Sequence, residues 1–365
     1  MKRPSAESPQ GKKTRESLSS TQPAQEHEPP NFGSEEFLFL VASLAWSQGL
    51  TANAIVKRVG LRSTAANLMS VKRALKRAHG KYLTLRTKPG GEQEKRLDER
   101  FNQDRQHGRK IAFHVVDDRH KHSPPFAAVA ARAAELVYGK IRELHQVPGR
   151  PAVVCNAGGR TVFEMVRALQ RHPPADDDLA ADGSDAQESP FVFVAANAAY
   201  DGKRFENSAN HLCVSLAQLF SGQHHALELV EGMESRDSFC EDVRRTDLLI
   251  CGVGTRRDGM MSQLFDRHQW AVPKEAVGDV AFNFIDRNGL PLQIQDNKAR
   301  DYIASVNPAL DIPTLLQIAG NKSVVLILDA EQPEIKHEIA QAVLRSHYAT
   351  DVVLGVKLAD KILGK

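Results

Sequence analysis

Residues 247–265, DLLICGVGTRRDGMMSQLF, and residues 276–292, AVGDVAFNFIDRNGLPL, decide the fold. Leu248–Cys251 is a short, unbroken apolar run, the pattern of a strand buried on both faces of a parallel sheet. It breaks at Gly252-Val253-Gly254-Thr255, and Met260–Phe265 then takes helical spacing, so the reading is strand, glycine-rich turn, helix. Glycine lets backbone N–H groups approach an anion, and a helix N-terminus adds positive potential there. Arg256 and Arg257 flank the turn. The glycines equally fit a plain chain reversal. They do not make a full dinucleotide fingerprint, because the third glycine of G-x-G-x-x-G would fall at Arg257. Beyond them come Ala276–Val280, a strand expected to run through Ile285, and a tight turn at Asp286-Arg287-Asn288-Gly289.

Outward from this block, strands and helices alternate. Ile111–Val116, Ala152–Cys155, Phe191–Ala195, Val324–Leu328 and Val352–Leu354 read as strands, the fourth preceded by Ile312-Pro313. Residues 127–144 carry apolar side chains at 129, 133, 136, 137, 141 and 144, one stripe of a helix. Val162, Met165, Val166 and Leu169 give a second helical face, and Asn207–Phe220, Ile335–Leu344 and Lys357–Leu363 read as further helices. Such alternation implies an α/β fold with a doubly wound, mostly parallel sheet. Ligands of such sheets bind beyond the carboxyl ends of the strands. Four loops qualify: Gly158-Gly159-Arg160-Thr161, Ala196–Ala199 with Asn197, Gly252–Arg257 with Gly254, Thr255 and Arg256, and the region before Lys336. Backbone N–H groups, two threonine hydroxyls and three cations make that a phosphate site by chemistry. Asp279 adds a carboxylate suited to accepting hydroxyls.

The chain has 365 residues, 41% of them hydrophobic, enough for two or three domains. The net charge of +3 is modest, but from Phe37 to Gly91 there are ten Lys or Arg and no Asp or Glu. A basic segment of that length points to a polyanion. Residues 1–34 are rich in Ser, Pro, Gln and Glu and are expected to be disordered. Residues 35–88 read as three helices and a strand: Phe37–Ser47, then Ala52–Val59 capped by Thr51, then a helix capped by Ser63 or Thr64 and reaching Ala78, then Tyr82–Thr87. That is the order of a winged helix-turn-helix, in which the third helix meets double-stranded DNA. Arg62 and Asn67, near its start, are the candidate base readers, and Lys72, Arg73, Lys76 and Arg77 are phosphate contacts or a solvated face. Residues 89–110 form a polar linker with a short helix, Gln93–Asp104, bearing Leu97 and Phe101. Residues 176–188 hold six acids and no base, an acidic loop.

The four cysteines are far apart, with no C-x-x-C, so buried free thiols in a reducing cytoplasm are expected and a zinc site is not. No apolar run reaches membrane-spanning length.

The order of the central block resembles the effector-binding domain of the SorC/DeoR-type sugar-responsive transcriptional regulators. There a strand ends in a GIG turn and an AVGDI…FFD-x-G segment follows. Gly159-Arg160-Thr161 matches the family's G-x-x-x-GRT turn, and Lys336–Leu344 resembles its K-x-x-AI-x-x-AL helix. Gly49-Leu50-Thr51, Ile55, Val59-Gly60-Leu61 and Ser63 resemble its head. Three places depart: the recognition helix opens Arg62-Ser63-Thr64, the family's AGG reads Leu328-Asp329-Ala330, and its TDE reads Gly355-Val356-Lys357. The resemblance implies a DNA-binding regulator with no cofactor and no catalytic residue. Its 111–365 domain would bind a phosphorylated sugar, and it would assemble as a homodimer or homotetramer. The alternatives are a sugar-phosphate isomerase or deaminase, with Asp279 as the base, and a relic of the regulator fold that binds nothing.

Overall fold

In the computed structural model the described residues are 50–78, 91–103, 110–118, 126–145, 149–171, 189–198, 205–225, 233–329 and 332–365, with scattered positions from 32 to 44. The tail before Phe32, the expected strand Tyr82–Thr87 and the acidic residues 176–188 lie outside them.

The strands are β1 Ala112–Val116, β2 Ala152–Asn156, β3 Phe191–Ala195, β4 Gln223–His225, β5 Leu248–Cys251, β6 Val253–Thr255, β7 Gly278–Val280, β8 Asn283–Ile285, β9 Ser323–Leu328 and β10 Asp351–Gly355. The helices are α1 Ala52–Arg58, α2 Ala65–Ala78, α3 Gly91–Asn102, α4 Ala127–His145, α5 Arg160–Arg171, α6 Ala209–Leu219, α7 Met233–Arg244, α8 Met260–His268, α9 Asn297–Val306, α10 Ile312–Asn321, α11 Pro333–Arg345 and α12 Val356–Leu363.

Among the described residues, seven strands form one sheet in the order β1-β10-β9-β5-β2-β3-β4, every pair parallel. Side chains alternate between its faces, as the pleat requires. Leu248 and Ile250 pack with α4, α5 and α6, whereas Leu249 and Cys251 pack with α3, α10, α11 and α12. Both faces are covered, which is why β5 reads as an unbroken apolar run. The winding reverses between β2 and β5: β3 and β4 extend one way, and β9, β10 and β1 extend the other. A ligand crevice belongs at such a switch point. The four cysteines are buried and free, and burial pushes the Cys251 thiol up to about 12.

Three departures from the sequence reading shape this edge. The turn expected at Gly252–Thr255 is a strand instead: the chain continues as β6, which pairs antiparallel with β7, and α8 begins at Met260, where the helical spacing placed it. The expected strand through Ile285 is broken into a β7–β8 hairpin by Ala281 and Phe282, both left-handed at φ 46° and 63°. Asn283 Nδ2 and Asn307 Nδ2 each donate to the Ala281 carbonyl at 2.9 Å, fixing a turn that non-glycine residues adopt only at a cost. The resulting three-stranded sheet packs with α8 and α9 as a second layer over the carboxyl edge. Finally, Ile312-Pro313 opens α10 rather than leading directly into β9. Asp311 caps it by accepting the Thr314 N–H at 2.9 Å, and Pro313 sits where its missing N–H costs nothing.

The helix expected in the linker, α3, packs against the sheet. Leu97 is fully buried in the main core, and Phe101 lies against Phe113. Glu94 accepts the Val115 N–H at 2.8 Å, covering the edge of β1. Arg100 of α3 and Gln341 of α11 both donate to the carbonyl of Ile362, at 2.8 Å and 3.1 Å.

The N-terminal residues have their own small core, in which Val41, Leu44, Ile55, Val56, Val71 and Ala74 are buried together. Thr51 caps α1, and Thr64 accepts the Asn67 N–H at 3.2 Å ahead of α2. No helix among the described residues is long and apolar enough to cross a membrane.

Candidate functional site

The cleft at the switch point has a volume of about 470 Å³ and is built from four chain segments. The first follows β2. Gly158 sits where a Cβ would stand 2.8 Å from the Asn207 carbonyl and 3.0 Å from the Ala209 nitrogen. Gly159 takes φ +123°, a conformation that favours glycine. Its N–H donates to the Asn207 carbonyl at 2.8 Å, and Asn156 Nδ2 donates to the Ala209 carbonyl at 3.0 Å. The loop is thus fixed to the start of α6, and α5 begins at Arg160 with its first N–H groups lacking intrahelical acceptors. The Arg160 guanidinium lies 4.0 Å from the centroid of the Phe126 ring, a cation–π contact at the rim. Thr161 lines the cleft beside Gly252.

The second segment is β6 and the loop after it. Thr255 does not offer its hydroxyl proton to the cleft. It donates that proton to Asp258 Oδ1 and accepts the Asp258 N–H at 3.2 Å. Ser262 and the Gly259 N–H hold the Thr255 carbonyl at 3.1 Å and 2.9 Å. These bonds bring the Asp258 carboxylate into the cleft wall.

The third is the β7–β8 hairpin. Asp279 is 6% exposed and faces Gly254 across the strand pair. Its carboxylate accepts the Phe282 N–H, and Oδ1 has no hydrogen-bond partner among the described residues. Burial pushes its pKa up to about 7, against the lowering effects of that N–H and of Lys336.

The fourth joins β9 to α11. Lys336 Nζ donates to the Asp329 carbonyl at 2.5 Å. Burial lowers the Lys336 pKa, while Asp329, Asp258 and Asp279 pull it back up. The Arg160 charge adds to that lowering, so among the described residues the cleft wall holds two mutually repelling cations and three carboxylates.

Nine of the eleven expected ligand residues line this cleft: Gly158, Gly159, Arg160, Thr161, Gly252, Gly254, Thr255, Asp279 and Lys336. Arg256 and Asn197 do not. The exposed Arg256 guanidinium donates to the Lys274 carbonyl. Asn197 is buried, its amide atoms without partners among the described residues. Sequence reasoning passed over Phe126, Asn207, Asp258 and Gln263; the signal for Asp258 was its position three residues after Thr255, a side-chain turn spacing.

At the N-terminal unit, Arg62, Ser63, Thr64, Lys72, Arg73 and Arg77 are exposed, and Asn67 Nδ2 donates to the Arg62 carbonyl at 2.9 Å. The side chain of Lys76 lies outside the described residues.

No family model matches the sequence, and no curated protein does so. Solved structures do match. The full-length sorbitol operon regulator SorC from Klebsiella pneumoniae is 15% identical with a TM-score of 0.50, covering 90% of this chain and 98% of that one. A DeoR family transcriptional regulator from Listeria monocytogenes is 16% identical with a TM-score of 0.51, covering 74% of this chain and 98% of that one. A protein described as "Probable sor Operon Regulator", from Shigella flexneri, is 16% identical with a TM-score of 0.52, at 74% and 98% coverage. By fold, this chain is similar to the SorC and DeoR-type transcriptional regulators, as the order of its motifs implies.

Proposed function

We propose that the chain is a cytoplasmic transcriptional regulator. In this reading, α1 and α2 contact double-stranded DNA, and the cleft binds a phosphorylated sugar. The observation that carries it is the α5 N-terminus, opened by Gly158 and Gly159 and flanked by Arg160, at the switch point of the sheet. A phosphate there meets backbone N–H groups and a guanidinium at once, and the sugar hydroxyls reach towards Asp279. The exposed cations before and along α2 supply the polyanion surface. Half-site reading by such a unit calls for a dimer or a dimer of dimers, with the larger domain holding the copies together.

One observation favours a second reading: a carboxylate raised to about 7 in a cleft is suited to proton abstraction, the chemistry of a sugar-phosphate isomerase. Calorimetry with pentose, hexose and triose phosphates, paired with assays of each for turnover, separates the two. A regulator binds without turnover; an isomerase turns over and loses that activity in Asp279→Asn. If no compound binds below millimolar concentration, neither reading stands.

A further inference from the structure

Helix α2 has a buried side and an outward side. Val71 and Ala74 are buried in the N-terminal core, and Leu68 and Leu75 pack against it. At 3.6 residues per turn, Met69 and Arg73 lie opposite that side, flanked by Ala65, Ala66, Lys72 and Arg77. All six are exposed, Met69 at 48%. The outward face is divided along its length. Ala65, Ala66 and Met69 make its first half apolar, and Lys72, Arg73 and Arg77 make its second half cationic.

The polar groups at the start of α2 are turned back on the chain. Thr64 Oγ1 accepts the Asn67 N–H at 3.2 Å, and Asn67 Nδ2 donates to the Arg62 carbonyl at 2.9 Å. The large side chain that projects furthest into solvent from this half of the helix is therefore the thioether of Met69, between two alanines small enough to let a partner approach the backbone. The charge around it selects the partner. Between Phe37 and Gly91 stand ten Lys or Arg and no acid, so the occupant of this face is a polyanion that also presents an apolar group. In a helix-turn-helix it is the N-terminal residues of the second helix that touch base edges in the major groove. The apolar group that unmodified DNA offers there is the C5-methyl of thymine.

We propose that the first half of α2 reads thymine by its methyl group, with Met69 as the main contact and Ala65 and Ala66 admitting the base edge, while Lys72, Arg73 and Arg77 hold the phosphates alongside. This rests on the reading of the N-terminal unit as a DNA-binding head and adds what that head selects. Arg62, exposed in the turn before the helix, is left to meet a guanine or a phosphate at the margin of the contact.

The test selects duplexes from a random pool with the full chain and remakes the enriched sites with deoxyuridine in place of each thymine, which removes the methyl and keeps every hydrogen-bonding group of the base. Gel-shift titration should show binding about fourfold weaker for each contacted methyl removed, the worth of one buried carbon. Met69→Ala, a change at an exposed position, should bring the difference between thymine and uracil down to about twofold or less. It should leave the salt slope unchanged, because no cation is lost. Met69→Leu should keep the difference. If the pool yields no preferred site, if uracil serves as well as thymine throughout, or if Met69→Ala discriminates as wild type does, the methyl contact is overturned while duplex binding survives. If the chain binds no duplex even at low salt, the proposal and the DNA reading fall together.

Discussion

Gly254 and Asp279 are cross-strand partners in β6 and β7, and the Asp279 carboxylate occupies the space that a side chain at position 254 would need. The glycine is therefore what permits a buried acid in the cleft wall. Gly254→Ala should push the carboxylate aside and destabilise the protein by about 1–3 kcal/mol, the range for overpacking a close-packed site. Urea titration checks this, and an unchanged midpoint would show that the hairpin yields freely.

Asp279 costs stability at neutral pH. Its folded pKa of about 7 lies above its unfolded value, so the folded state holds an extra proton between these two pKa values, and stability falls as pH rises through that window. Asp279→Asn removes the penalty. The variant should melt above wild type at pH 8 by several degrees, about 2–4 °C for each kcal/mol recovered in a domain of this size, and the two curves should converge near pH 4. Melting temperatures at the two pH values decide it; a variant less stable than wild type at pH 8 would refute the burial argument.

Lys336 offsets three carboxylates. Lys336→Ala should leave the cleft strongly acidic and weaken binding of a sugar phosphate by roughly tenfold to a hundredfold, the value of a charged hydrogen bond. Removing this buried cation leaves those carboxylates uncompensated, so the variant should also melt below wild type. Calorimetry of the variant beside its melting curve separates these effects, and unchanged affinity would remove Lys336 from the site.

The N-terminal unit should bind duplex DNA in a salt-dependent way. With about five phosphates contacted, log affinity should fall with log salt at a slope near −4.5. Lys72→Ala and Arg73→Ala should each reduce the slope by about one, uniformly across sequences. Asn67→Ala should do more than remove a base contact, because its amide closes the turn onto the Arg62 carbonyl. Gel-shift titration of the full chain tests all three, and a flat salt response would exclude DNA as the partner.

The sheet was legible because its strands are buried on both faces and leave unbroken apolar runs, as in Leu248–Cys251 and Val324–Leu328. The antiparallel layer was not. Each of its strands spans three residues, too few for a period to appear, and its turn uses Ala281 and Phe282 where a sequence reader looks for Asn or Gly. The helix α10 was missed although Asp311 and Pro313 announce it. Within the cleft, the glycine-flanked Arg160 and the helix-start Lys336 could be placed from local signals, since a helix start and a strand end are local. Arg256 could not: nothing in the chain near it foretells that its guanidinium turns to Lys274, eighteen residues away.

The carbonyl of Ile362 gives this architecture a mechanical character. Gln341, on the helix that carries Lys336 into the cleft, and Arg100, on the helix nearest in sequence to the N-terminal unit, grip the same atom. Leu97 nails the second helix to the main core. The chain therefore leaves for the N-terminal unit from a post fixed to the larger core at α3. Twelve residues, 79–90, separate the end of α2 from that post. Fully extended they span at most about 40–43 Å.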